Sequence, residues 1–400
     1  MAGAPSATAA PPAGNVAQAP TAAAQQTPAA PTVVPFLRGT GRGKYKFYSK
    51  AGLTLTSATQ DLGPIDIKAY DYMRSVLVTF TTTANGGATG TLQADGPFNA
   101  FTNMAILQPN GQTMYQVSSG HRAAMIQKYG YYRNSSDPRA DPNFQASGSA
   151  CTFAIRIPFE LDMRDALGSL PNKDAAAPFS LNLTLNTLTN VFGSGQGTSP
   201  TFTVEAWLEA YDQPPTILGG QPVQTTPPNM NTLQRWTEQS ITMSTGQFDA
   251  RVRKLGNYIR MLIPIMYNSS NARIGVAAGN LAVGNNFADP VQIVLDEDTK
   301  DNISFADWLR RIWETWEYGF GAGNGVTGAL GYSADTAFGF DVGVYPYQYF
   351  NDQRSPDENA NLYLPTIESE DYLLRGSWGS SVSTMRVLVN EVLPQGNIFG

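Results

Sequence analysis

The sequence predicts an all-β chain of two sandwich lobes, each interrupted by one helix, and three observations predict it. Charged residues make up only 14% of the 400 residues, against 42% hydrophobic and 11% aromatic, which is too little Lys and Glu to surface many helices. Glycine (38) and proline (27) cut the chain into short β-branched and aromatic runs, the spacing of a sandwich or barrel. A proline-rich stretch without charge, from Gln213 through Pro228, divides that pattern into two parts of similar length and texture. The similarity lies in layout, with no residue-level identity evident along the sequence.

Residues 1–37 are an uncharged mixture of mainly Ala, Pro, Gln and Thr in which repeated prolines oppose a helix, so this stretch is expected to be an extended or disordered arm. It lacks the basic and apolar regions of a signal peptide. The first lobe is expected over 38–213, the Pro-rich linker over 214–235 and the second lobe over 236–400. Arg38, Arg42, Lys44, Lys46 and Lys50 place five positive charges directly after the arm, before the first acid at Asp61. They read either as a solvated loop or as a surface for an acidic neighbour: another subunit, lipid head groups or a genome.

Strands are expected at Met73–Thr82, Thr102–Leu107, Cys151–Ile157, Phe179–Thr187 and Thr201–Tyr211. In the second lobe they are expected at Tyr258–Tyr267, Val291–Leu295, Gly343–Phe350 and Met385–Leu393. Asn85-Gly86-Gly87 and Asn110-Gly111 mark turns. The first helix is expected around Ser118–Tyr129, capped by Ser118 or Ser119. The second is the clearer one: Phe305, Trp308, Leu309, Ile312, Trp313 and Trp316 recur at helical spacing behind a Ser304/Asp307 capping pattern. Such a stripe is either core or an interface.

Composition argues against most chemistry. One cysteine, Cys151, and one histidine, His121, exclude an intrachain disulfide framework and multi-histidine metal centres. His121 reads as a helix-surface residue and Cys151 as a buried structural one. The formal net charge of −6 gives the whole molecule no long-range attraction to nucleic acid or an anionic membrane. The run Asp296–Asp301 starts like an EF-hand but carries Lys300 at a ligand position and Asp301 at the glycine position, leaving a solvated acidic turn. Gly39–Lys44 lacks the Walker spacing. No run of about 18 apolar residues is present to cross a bilayer as a helix. No catalytic residue, metal or cofactor is expected, nor sequence-specific nucleic-acid binding.

Several segments, in order, resemble the tectivirus-type double jelly-roll major capsid proteins. They are Asp95-Gly96-Pro97-Phe98-Asn99, the turn Gln108–Gln112, Ser119-Gly120-His121 opening a helix, Ile155–Phe159, an Asp165-Ala166-Leu167 helix, Leu170-Pro171, Leu181–Leu185 and Val204–Pro214. Trp308–Ile312, Gly343-Val344-Tyr345 and Phe350-Asn351-Asp352 continue the likeness in the second lobe. The Ala/Pro-rich arm and the glycine-rich insertion Gly319–Gly331 depart from it.

The resemblance implies two eight-stranded jelly rolls in tandem and homotrimeric capsomers of pseudo-sixfold outline that tile an icosahedral shell. The protein would then be found in the virion, and in the host cytoplasm before assembly. Penton and minor capsid proteins are the implied partners, and an internal viral membrane is an implied contact of the N-terminal region. Two other classes share the two-lobe layout. One is a carbohydrate- or receptor-binding sandwich such as a spike; the other is a cupin-type enzyme, which normally clusters metal-binding histidines.

Overall fold

A computed structural model describes residues 33–82, 91–92, 95–130, 151–161, 166–194, 201–228, 232–253, 256–274, 286–316, 341, 343–349 and 363–393. In the first lobe the main strands are β1 (Arg42–Thr54), β2 (Gln60–Ile67), β3 (Tyr72–Thr82), β4 (Phe101–Leu107), β5 (Thr113–Val117), β6 (Cys151–Pro158), β7 (Phe179–Leu185) and β8 (Thr201–Tyr211). Helix α1 (Gly120–Tyr129) lies between β5 and β6. The second lobe holds β9 (Leu233–Thr242), β10 (Gly246–Arg251), β11 (Tyr258–Tyr267), β12 (Val291–Leu295), β13 (Asp298–Ile303), β14 (Tyr347–Gln348), β15 (Tyr372–Trp378) and β16 (Thr384–Leu393). Helix α2 (Phe305–Trp316) lies between β13 and β14.

The sheets of the first lobe run β1-β8-β3-β6 and β2-β7-β4-β5; those of the second run β9-β16-β11-β14 and β10-β15-β12-β13. Adding eight to every strand number of the first lobe reproduces the second, and each helix follows the fifth strand of its lobe. Alternation builds the sandwiches: along β8, Phe202, Val204, Ala206, Leu208 and Ala210 are buried while Thr203, Glu205, Trp207 and Glu209 face outward. One hydrophobic cluster runs through both lobes, taking in Phe80, Phe101, Trp236, Leu262 and Trp308.

Pairing shows a residue-level repeat that is not evident along the sequence. Tyr72 and Met73 at the start of β3 pair with Pro171 and Leu170. Tyr258 and Ile259 at the start of β11 pair with Pro365 and Leu364. Tyr-x-Arg (Tyr72 to Arg74, Tyr258 to Arg260) therefore meets Leu-Pro at the same place in both lobes. The two halves of each match lie about 100 residues apart in the chain.

Several expectations change. The basic segment is a strand, β1, and the acidic turn is largely β13, hairpinned to β12 through Asp296 (φ 56°) and Glu297. Ala166 sits in a turn at φ 68° instead of a helix, because the chain reverses there to let Leu161 N–H reach the Leu167 carbonyl. Among the described residues of Gly343–Phe350, which are 343–349, only Tyr347–Gln348 forms a strand. Within the stretch read as the arm, Val34 bridges to Val223 and Phe36 is buried against Tyr72 and Tyr211. Within the linker, Ile217–Leu218 and Gln221–Pro222 form a ribbon turned by Gly219 and Gly220, whose positive φ (57° and 80°) a side chain would oppose. Residues 1–32 and the Gly319–Gly331 insertion lie outside the described residues.

Candidate assembly interface

β1 is the last strand on its side of the first-lobe sheet, and Arg42, Lys44, Lys46 and Lys50 are all exposed along it. Arg38 is exposed on the helical turn Phe36–Gly39 just before. On the outer face Lys44 and Lys46 flank the Trp207 ring, their Nζ atoms 4.9 and 5.2 Å from its centroid, and Lys46 Nζ lies 3.0 Å from Glu205 Oε1. The Arg42 guanidinium sits 5.7 Å from the Tyr211 ring centroid. These contacts lay the Lys44 and Lys46 ammonium groups over the outer face of β8, beside the sheet edge. A charged edge strand is a common device against indiscriminate strand pairing.

Helix α2 is built as its spacing requires. Ser304 Oγ accepts the Asp307 N–H at 3.1 Å, and Phe305, Trp308, Ile312 and Trp316 are buried. Hydrogen bonding from Arg310, with Arg311 beside it, holds the Asp307 carboxyl below the usual carboxylate range. Trp308 Nε1 donates to the Pro346 carbonyl at 3.1 Å, and Trp316 Nε1 donates at 2.9 Å to the Tyr129 carbonyl at the end of α1. The aromatic stripe is therefore core and also a contact between the lobes. The Trp313 side chain lies outside the described residues.

The lobes meet along a seam. β5 lies parallel to β9 at Tyr115 and Trp236, so one sheet of each lobe continues into a single nine-stranded sheet. Glu238 on β9 accepts from the Ser118 N–H and Oγ–H, both at 2.7 Å, and pairs with Arg122 and Arg386, each at 3.3 Å. Gln234 Nε2 donates to the Phe159 and Glu160 carbonyls at 3.1 and 2.8 Å. Glu160 receives a bidentate bond from Arg74 and another from Tyr211 Oη at 3.0 Å; burial raises its carboxyl against the pull of these donors. Nothing in the linear sequence pairs Ser118 with Glu238 or Phe159 with Gln234; Ser118 reads there as a helix cap and Phe159 as the end of the Ile155–Phe159 segment, and Glu238 and Gln234 carry no local signal. Apolar residues along β9 are Leu233, Trp236 and Ile241, so a hydrophobic pattern there passes over both Gln234 and Glu238.

An open cleft of about 440 Å³ lies beside the seam, lined by residues of both lobes that include Asp95, Asn99, Arg122, Asn186, Tyr267 and Arg273. Arg273 Nε lies 2.6 Å from Asp95 Oδ1. His121 is fully buried on α1, contrary to its surface reading, because α1 packs against β6 and the 3-10 turn Phe98–Ala100. Its Nε2 lies 3.8 Å from Asp95 Oδ1. Among the described residues no group of three or more His, Cys, Asp or Glu is placed to hold a metal ion.

No protein-family model and no curated protein matches the sequence. The fold does match solved structures. The crystal structure of the STIV major capsid protein (Sulfolobus Turreted Icosahedral Virus) aligns with a TM-score of 0.57 at 12% identity, over 88% of this chain and 97% of that one. The PBCV-1 virus capsid model aligns at 0.53 and 11%, over 88% and 93%. The major capsid protein of bacteriophage PM2 aligns at 0.50 and 9%, over 89% and 99%. The chain has the double jelly-roll fold. In this chain it consists of two eight-stranded jelly rolls in tandem, each with a helix after its fifth strand, and the alignments span 88–89% of the chain and 97–99% of the STIV and PM2 proteins.

Proposed function

We propose that this double jelly roll is the major capsid subunit of a virus, forming homotrimeric capsomers with six jelly rolls around each threefold axis that tile an icosahedral shell. The observation that carries the reading is fold coverage: viral capsid proteins align over 93–99% of their own length, so the likeness takes in nearly all of each of them and not one shared domain. The role is structural and not catalytic, and its partners are further copies of the chain together with penton and minor capsid proteins. The part of residues 1–37 that precedes Val33 serves to reach neighbouring capsomers or an internal viral membrane, while Val34 and Phe36 tie the end of that stretch to the first lobe. A carbohydrate-binding role has less support. The aromatic residues lining the cleft, Phe101 and Tyr267, are buried and offer no exposed ring face for a sugar to stack on.

The test is the solution mass by light scattering together with negative-stain images. A mass of about 129 kDa, three times 43.1 kDa, and particles of hexagonal outline are expected. A monomer of 43.1 kDa at every concentration and salt would overturn the reading.

A further inference from the structure

Among the described residues the lysine ion pairs Lys46–Glu205 and Lys300–Asp298 lie at the surface, whereas Arg74–Glu160, Arg122–Glu238 and Arg273–Asp95 are largely buried. A guanidinium group suits a buried pair, because it is weakly hydrated and presents parallel donors to a carboxylate. One lysine breaks this division. Lys128, near the end of α1 in the first lobe, meets Asp341 of the second lobe with 2.5 Å between Nζ and Oδ2. The Asp341 side chain is fully buried, and that of Lys128 is 19% exposed.

Aromatic groups enclose the pair. Tyr129 Oη donates to the same Asp341 Oδ2 at 3.0 Å and accepts the Asp341 N–H at 3.3 Å. The Trp316 ring stands edge-on to Tyr129 with 5.6 Å between centroids, and Lys128 Nζ lies 5.4 Å from the Tyr129 centroid. One carboxyl oxygen therefore faces both an amino group and a phenolic hydroxyl, shielded from bulk water. Two opposite charges kept in such a place forgo the hydration they would have outside. An amino group held against a carboxyl also needs no bimolecular encounter to react with it. Both effects favour condensation of the pair to a neutral amide.

We propose that Lys128 and Asp341 join covalently, in an isopeptide bond that ties α1 of the first lobe to the second lobe. A proton passes from the ammonium group to the carboxyl, which frees the amine lone pair. Nζ then attacks Asp341 Cγ: the Nζ–Cγ bond forms, the Cγ–Oδ2 bond breaks, and Oδ2 leaves as water with the transferred proton and one more from Nζ. The third proton of the original ammonium stays on the amide nitrogen. The two charges cancel, and the step needs no oxidant and no second reactant. The Tyr129 hydroxyl polarises the carboxyl through its bond to Oδ2 and eases the departure of that oxygen. The linked residues lie 213 positions apart, so the bond closes much of both lobes into one covalent loop. It belongs to the single chain and stands apart from the capsomer reading.

The experiment is the intact mass of the denatured full chain, with a tryptic map and a thermal melt of the same sample. The wild-type chain is expected to weigh one water less than its sequence requires. Trypsin is expected not to cut after Lys128 and to release a branched peptide that carries Lys128 and Asp341. Lys128→Arg keeps the cation but loses the amine nucleophile, and is expected to show the full mass while still melting cooperatively. Tyr129→Phe keeps the ring and removes the hydroxyl; freshly purified, it is expected to be a mixture of the two masses that moves toward the lighter one on standing. A wild-type chain that melts cooperatively at the full mass would overturn the bond. So would a missing water that persists in Lys128→Arg, since the dehydration would then lie elsewhere, as in an aspartyl succinimide.

Discussion

β5 and β13 occupy the same place in two copies of one fold and meet opposite surroundings. β5 buries Met114, Tyr115 and Val117 against α1 and the other lobe, whereas β13 exposes Asp298, Thr299, Lys300 and Asn302 and buries only Ile303. β9 and β1 divide in the same way: Gln234 and Trp236 are buried, while Arg42, Lys44, Lys46 and Lys50 are exposed. The difference teaches that topology does not set the composition of an edge strand. What covers the strand does. An edge buried within the chain takes apolar residues, and one open in the monomer takes charges that discourage unselective pairing.

The helices sharpen the same comparison. α2 reaches across to α1 through Trp316 and the Tyr129 carbonyl, while Trp308 anchors α2 in its own lobe beside Phe287. The largest expected effect is therefore local to the second lobe. Trp308→Ala should cost about 3–5 kcal/mol in denaturant unfolding, the usual loss on emptying a buried aromatic site. A change well under 1 kcal/mol would break the assignment of the stripe to the core.

Next in size is the seam. Glu238→Ala removes the acceptor shared by Ser118, Arg122 and Arg386 and leaves the buried Arg122 guanidinium without its carboxylate, a loss of about 3 kcal/mol. Hydrogen exchange should then quicken along β5 and β9 before it does in β3 or β8. Uniform quickening would show that the seam is not a separate element of stability.

The smallest effect concerns Asp307, which has no carboxylate counterpart in α1. Because its carboxyl is held below the ordinary range, the folded chain gives up this proton more readily than the unfolded chain. Its contribution is present above the ordinary carboxylate range and is lost as pH falls through the lowered value. Asp307→Asn should remove that part of the acid sensitivity while changing the melting temperature little at neutral pH, because the Arg310 pair is exposed. Identical acid melting profiles for variant and wild type would contradict it.

What could be read in advance follows the same division. Thr201–Tyr211, Tyr258–Tyr267 and Val291–Leu295 were legible to the residue, because strands with a buried face write that face into apolar alternation or apolar runs. α2 was legible because its stripe and its Ser304 cap are both local. β1, β10 and β13 were not, since open edge strands such as Arg42–Thr54 and Asp298–Ile303 carry charge where a pattern-based reading looks for hydrophobes; nor were β2, β5, β9 and β15, in which polar residues or glycine interrupt the apolar pattern. Of the candidate site, the basic residues and the aromatic helix could be named from sequence, but not that one forms a sheet edge and the other part of the lobe contact.

The sequence by itself determined the class of the fold, the presence of two similar lobes and the scarcity of catalytic groups, because composition and local periodicity record burial residue by residue. Only the tertiary structure decided that Tyr72 and Tyr258 are equivalent, that Glu238 clasps Ser118 and Arg122, and that β1 and β13 stand open where β9 and β5 are joined. Those facts depend on pairings between residues about 100 to 120 positions apart. Hydrogen bonds and packing across such distances leave no periodic trace in the chain.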